Sequence, residues 1–179
     1  MRRIVVAELS LATLDALEVG AFALLIGEER PLQGLAGLVD WRLAGALTRA
    51  LSGGLYAAAP GEALLLPTAG RLRASRVVAQ GLAPGGDEAA LSTAVLRLSE
   101  VAVRAGASSF AAAAPPAPGV GGPEACRAWL AAAVAVPGER LVLLGEPRAL
   151  AAELAAARIA ARIEIEVAQF SGSLPAMVR

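Results

Sequence analysis

The sequence predicts a three-layer α/β/α sandwich, with helices on both faces of a largely parallel or mixed sheet of about six or seven strands. Three observations predict it. Short apolar runs alternate with longer stretches of helical periodicity along the chain. One of those runs, Ala21 to Ile26, is apolar throughout, as a strand covered on both faces has to be. Helix-start and helix-stop residues fall between the runs: Ser10, Asp87, Pro123 and Pro147 at starts; Gly53-Gly54, Gly106 and Pro137-Gly138 at ends.

In order, Arg3 to Glu8 (RIVVAE) reads as a short strand. Ser10 supplies a side-chain oxygen to cap a brief helix with Leu11, Leu14 and Leu17 on one side. Val19-Gly20 leads into the strand Ala21 to Ile26. A long amphipathic helix is then expected over Leu35 to Leu51, because Leu35, Val39, Leu43, Ala46, Leu47 and Ala50 recur at three- and four-residue steps. It stops at Ser52-Gly53-Gly54, where glycine can take the left-handed cap. The apolar run Ala63 to Leu66 completes a strand, helix, strand unit.

A turn, Pro67 to Leu72, feeds the strand Ser75 to Gln80, and the loop GLAPGGDE ends at Asp87, the cap of a helix from Glu88 to Ala105. That helix buries Leu91, Val95, Leu98 and Ala102 and shows Arg97, Glu100 and Arg104; Gly106 closes it. Ser108 to Ala113 is a strand despite its alanines, and APPAPGVGGP is a loop rich in residues that interrupt regular pairing. Pro123 opens the next helix, with Glu124 in its first turn and Pro137-Gly138 at its end. Arg140 to Leu144 is a strand, and Pro147 starts a helix to about Ala160. In RIEIEV, Ile163, Ile165 and Val167 alternate with Arg162, Glu164 and Glu166, the pattern of a half-exposed edge strand whose charges discourage pairing. The tail from Ser171 is either loose or a clamp on a neighbour.

A chain of 179 residues is one domain of ordinary size, able to bury a real core. It is 56% hydrophobic but only 3% aromatic, so Ala, Leu and Val fill that core. All sixteen basic residues are arginine, and the formal net charge is zero, so no general field draws nucleic acid. The lone Cys126 cannot form an internal disulfide and no secretory-type leader opens the chain; both point to the cytoplasm. No apolar run reaches the ~18 residues of a membrane span.

The side chains restrict the chemistry further. With no histidine, one cysteine and only Asp15, Asp40 and Asp87 as aspartates, a two-metal hydrolytic site lacks its ligands, and a Ser or Cys nucleophile lacks its base. Cys126 reads as a small buried residue near Trp129. Glycine-rich turns before helix starts, GLAPGGDE and PGVGGPE, present backbone N–H groups that could hold a phosphate, which makes Gly85, Gly86 and Asp87 a candidate ligand loop. Neither turn fits a known phosphate pattern, and Asp87 and Glu124 would repel an anion; plain turns and caps are the simpler reading. Arg71, Arg73 and Arg76 form the densest basic group, a solvated rim or partners for Glu62, with nucleotide contact as the alternative. Finally, Leu38, Trp41 and Gly45 make a second stripe on the central helix, roughly opposite the first. Either Trp41 packs within its own chain, or this stripe with Arg42 is an interface for another molecule.

One stretch resembles a known family. Pro31, Gly34, Gly37, Asp40, Trp41 and Arg42 in PLQGLAGLVDWRLAGALTRAL are followed by Gly61, Glu62, Leu64 to Pro67, Gly70, Arg71 and Leu72 in GEALLLPTAGRL, and then by RVVAQGL. In order and spacing these resemble the amino-terminal domain of the leucyl aminopeptidase (cytosol aminopeptidase, peptidase M17) family, over about residues 20 to 82. The resemblance implies a sandwich related in shape to macro domains, which bind ADP-ribose. It also implies an absence. In that family hydrolysis belongs to a carboxy-terminal domain that holds two metal ions through a lysine and carboxylates, with a motif like NTDAEGR, and this sequence has neither the motif nor a lysine. Some members of the family bind DNA, which the zero net charge here disfavours.

The expectation is therefore a single domain over residues 1–179, with no cofactor, no metal and no catalysis, acting as an oligomerisation, docking or regulatory module. Its partner would be a second copy or a separate aminopeptidase-like catalytic chain. The alternative is a macro-domain-like binder of ADP-ribose or another nucleotide-like small molecule, near the carboxyl ends of the strands.

Overall fold

The central apolar runs become strands of one sheet because each lines both helix layers with alternate side chains. The computed structural model describes residues 3–85, 87–114, 122–157 and 163–168. Its strands are β1 (Arg3–Glu8), β2 (Ala21–Ile26), β3 (Ala63–Pro67), β4 (Arg76–Gly81), β5 (Ser109–Ala113), β6 (Arg140–Gly145) and β7 (Glu164–Val167). They lie in the order β3-β4-β2-β5-β6-β1-β7. All pairings are parallel except β3 with β4, which is antiparallel. The sheet is thus mixed, with seven strands among the described residues, and the fold is the α/β/α sandwich that the alternating pattern predicts.

One face carries α1 (Leu11–Ala16), α2 (Gly34–Arg42) and α3 (Ala46–Ser52), whose Leu14, Leu35, Val39 and Leu47 pack on Val5, Phe22, Leu24 and Val77. The other carries α4 (Glu88–Arg104), α5 (Gly122–Ala135) and α6 (Pro147–Ala156), whose Leu91, Val95, Trp129 and Leu150 pack on Ile4, Ala23, Leu25 and Leu141. Strand β2 is buried at all six positions, as its unbroken apolar run requires. The α4 stripe of Leu91, Val95, Leu98 and Ala102 is buried as its periodicity predicts.

The central helix differs from expectation. It is not continuous from Leu35 to Leu51 but breaks after Arg42, where Ala44 (φ 52°) and Gly45 (φ 78°) adopt left-handed backbone. The break is held by the buried Asp40 carboxylate, which accepts hydrogen bonds from Leu47 N–H (2.8 Å), Thr48 N–H (3.1 Å) and the Thr48 hydroxyl. A side chain on one helix therefore caps the next. Leu35, Val39, Leu43, Leu47 and Ala50 stay buried, since the second helix resumes on the same side. The described residues hold six helices rather than the five expected.

The unit built on this region also closes differently. Strand β3 does not return beside β2 but sits at the sheet edge, antiparallel to β4. At the opposite edge β7 takes the position its charges predict, with Glu166 paired to Arg3. Its expected one-sided burial is absent: Ile165 and Val167 both remain exposed on a short strand lying beyond the main helix layers. The loop over residues 115–121, Gly86, Arg162, the expected helix end beyond Ala157 and the tail from Ser171 lie outside the described residues.

Candidate functional site

The order of the strands creates a crevice. After β1 and β2 the chain passes to helices on one face, and after β4, β5 and β6 to helices on the other. Strand β2 thus lies between β4 and β5, whose chains leave in the opposite direction, and its pairing with β5 stops at Phe22 with Ala111, which makes the boundary of β2 and β5 a topological switch point. In parallel α/β sheets ligands bind at such switch points. Here Leu25 of β2, Leu35 and Ala36 in the first turn of α2, Ala113 of β5 and Trp129 of α5 line a cavity of about 10 Å³, enough for one water molecule. Trp129 is its rigid floor. It is fully buried, its indole N–H donates to Ala113 O at 3.1 Å, and its ring meets Phe110 at a tilt, centroids 6.4 Å apart.

The helix beginning at this crevice has an unusual start. Ser10 caps α1, Asp40 caps α3, Asp87 caps α4 through Ala90 N–H, and Glu146 caps α6 through Arg148 and Ala149 N–H. Gln33, at the corresponding position of α2, makes no side-chain cap, and no acidic residue follows in the first turn. The first amide of α2 with a partner is Gly37 N–H, to Gln33 O. The N–H groups of Gly34, Leu35 and Ala36 therefore have no partner within the helix and carry the partial positive charge of a helix start. Gly34, at the first position of the helix, has left-handed backbone (φ +55°), and a Cβ there would meet nothing within 4 Å. The preceding loop is tied by Arg30, whose guanidinium donates to Gly27 O (2.9 Å) and Glu29 O (2.7 Å).

The residues singled out from sequence are scattered around this centre. Gly85 (φ 60°) and Asp87 stand at the carboxyl end of β4, one strand from β2, and Asp87 spends its carboxylate on Ala90 N–H; Gly86 lies outside the described residues. Arg71, Arg73 and Arg76 sit at the other end of the sheet. Arg73 pairs with Glu18 (2.5 Å) and Arg76 donates to Ala105 O at the end of α4. Glu62 is not their partner, as it accepts Ala57 and Ala59 N–H at 3.1 Å each. Short local bonds hold that carboxylate in its own turn.

Leu38, Trp41, Arg42 and Gly45 lie along α2 and just past its far end. Leu38 is half-buried, Gly45 is the left-handed residue before α3, and Trp41 is 63% exposed, with the Arg42 guanidinium 4.7 Å from its ring centroid. Arg42 also pairs with Asp15 of α1. Trp41 thus does not pack into its own chain as the simpler reading expects, because α2 already fills the space over the sheet with Leu35 and Val39. Cys126 is buried, with its thiol 3.4 Å from Glu153 Oε2. Burial first, and then the hydrogen bond to Glu153, push its pKa up to about 12, which keeps it a protonated, unreactive thiol. Among the described residues no group of three or more His, Cys, Asp or Glu gathers as metal ligands would, and no helix is long and apolar enough to cross a membrane.

The open amides of Gly34, Leu35 and Ala36 were not among the residues expected from sequence. Their only signal there is an absence: no Ser, Thr, Asp or Asn precedes α2, whereas Ser10 and Asp87 precede α1 and α4.

No family model matches the sequence, and no curated protein matches it. Solved structures do. The macrodomain of Mycobacterium tuberculosis DarG superposes with a TM-score of 0.59 at 13% identity, over 78% of this chain and 97% of that one. A mutant of the Oceanobacillus iheyensis macrodomain with ADPR gives 0.61 at 16% identity, over 86% and 89%. Tomato leucine aminopeptidase gives 0.49 at 14% identity, over 87% of this chain and 32% of that one, too slight a likeness to support membership of the aminopeptidase family. The fold of this chain is macrodomain-like.

Proposed function

We propose that the chain binds ADP-ribose or a related nucleotide-like small molecule in the crevice beyond β2 and β5, without catalysing its turnover. The observation that carries this is the uncapped start of α2, which holds the amides of Gly34, Leu35 and Ala36 free at a switch point. A phosphate needs that combination of converging N–H donors and helix-start charge. The similar Oceanobacillus iheyensis macrodomain, with ADPR or with ADP, supports the same reading. The sequence has no histidine to serve as a general base, which favours binding over turnover. A single buried cysteine suits a reducing compartment such as the cytoplasm.

The test is Ala36→Glu, measured by isothermal titration with ADP-ribose. A carboxylate in the first turn favours the helix itself but repels a phosphate. Ala36 is half-buried against the core, so stability is followed alongside; the variant should keep the wild-type circular dichroism and bind at least ~10-fold more weakly, a loss of about 1.4 kcal/mol. Undetectable binding by wild type at millimolar ADP-ribose, or equal binding by both proteins, would refute the reading.

A second reading, a docking or oligomerisation module like the accessory domain of an aminopeptidase, is favoured by one observation, the exposure of Trp41 beside Arg42. Its partner would be a second copy or a separate catalytic chain. On this reading Trp41→Ala lowers the weight-average mass seen by light scattering at high concentration, and an unchanged mass removes its support.

A further inference from the structure

The two edges of the sheet are built differently. Strand β7 carries Glu164 and Glu166, charges that would repel a copy of itself. Strand β3, Ala63–Pro67, is ALLLP, with no charge along its length. The one carboxylate beside it, Glu62, is held by Ala57 and Ala59 N–H. Strand β3 therefore lacks charge protection and is blocked only by Pro67 at its end.

The ladder with β4 settles which backbone groups of β3 remain open. Gly81 N–H donates to Glu62 O (2.9 Å) and Thr68 N–H to Ser75 O (3.1 Å), and the register pairs Leu64 with Ala79 and Leu66 with Val77. In an antiparallel ladder alternate residues turn their N–H and C=O toward the same neighbour. Glu62, Leu64, Leu66 and Thr68 thus bond to β4, and Ala63, Leu65 and Pro67 turn theirs outward. Ala63, Leu65 and Pro67 are also the exposed residues of the strand, whereas Leu64 and Leu66 pack on the core. Leu65 is 55% exposed, because α4 lies over β4 and β2 rather than over β3.

We infer that β3 pairs antiparallel with β3 of a second copy, about a two-fold axis at Leu65. The outward set is symmetric about that residue. Leu65 exchanges both backbone bonds with Leu65 of the second copy, and Ala63 N–H meets Pro67 O of the second copy, with its mate related by the axis. Proline at the outer position has no N–H to offer, which leaves the Ala63 carbonyl at the rim of the pair in water. The two Leu65 side chains become cross-strand neighbours on one face and shield each other. A copy of this chain fits better than a foreign strand, since the same outward parity and the same lack of charge recur on both sides of the axis. This surface is separate from the Trp41 patch and from the crevice, so its failure leaves the ligand reading untouched.

Sedimentation velocity from about 5 to about 500 μM tests it on wild type, Leu65→Lys, Ala63→Pro and Trp41→Ala. Wild type should show a concentration-dependent dimer. Leu65→Lys places two ammonium groups across the axis, and Ala63→Pro removes an outward N–H; each should raise the dissociation constant at least ~10-fold. Neither change touches the ladder to β4, so both variants should keep the wild-type circular dichroism and melting temperature. In wild type, Ala63 and Leu65 amide exchange should slow as concentration rises. The proposal is overturned by a wild type that stays monomeric throughout, or by a dimer that both β3 variants leave intact. It is equally overturned by a dimer that only Trp41→Ala dissolves.

Discussion

Trp129→Ala should lower the unfolding free energy by roughly 3–5 kcal/mol, the range for removing a fully buried tryptophan. Three losses combine. The indole packs between α5 and the sheet with no exposure, it meets Phe110 at a tilt, and its N–H is the partner of Ala113 O at the end of β5. Truncation opens a void and also leaves that carbonyl unpaired in an apolar setting. Trp129→Phe keeps most of the packing and loses only the donor and part of the volume, so it should cost less, about 1–3 kcal/mol. Urea unfolding with an unchanged slope would measure both. A loss below about 1 kcal/mol for the alanine variant would show that the crevice floor is not packed as described. Because Ala113 and Trp129 line the cavity beneath the α2 amides, the same variant should weaken ligand binding.

Asp40→Ala should cost roughly 2–4 kcal/mol, at or above the top of the range for a helix cap, because one buried carboxylate serves three donors from Leu47 and Thr48. Removing it leaves two helix-start amides and a hydroxyl without their acceptor and frees the turn at Ala44-Gly45. Asp40→Asn should lose less, since an amide oxygen still accepts while the charge is gone. Thermal and urea unfolding of the two variants would check the order. If Asp40→Ala melts with wild type, the break between α2 and α3 is held by packing of Leu43 and Leu47 instead.

Much of the fold is legible in residues that report on their own neighbours. The unbroken apolar run of β2, the stripe of α4, the caps at Ser10 and Asp87 and the charged alternation of β7 all appear where local pattern places them. The failures are of a different kind. From Leu35 to Leu51 the apolar period runs on without interruption, so nothing in the period marks the break. The signal is Asp40 with Gly45, and it becomes readable only when the Asp40 side chain reaches Leu47, seven residues away. Trp41 is ambiguous for the same reason, since a second apolar stripe says nothing of whether another element covers it. The Gly85–Asp87 loop stood out by composition, yet its aspartate closes its own helix, while the plainer run Gln33–Ala36 leaves amides open.

Sequence alone was enough for the layers, most helix and strand segments, the aliphatic core and the lack of histidine and lysine. Those follow from period, capping and composition, which act over a few residues. Folding in three dimensions was needed to put β3 at an edge against β4 rather than beside β2, to bring α2, β5 and α5 around one crevice, and to expose Trp41 and Leu65. Each of these depends on which distant segments become neighbours, and hydrogen bonds and packing between such segments leave no period in the chain.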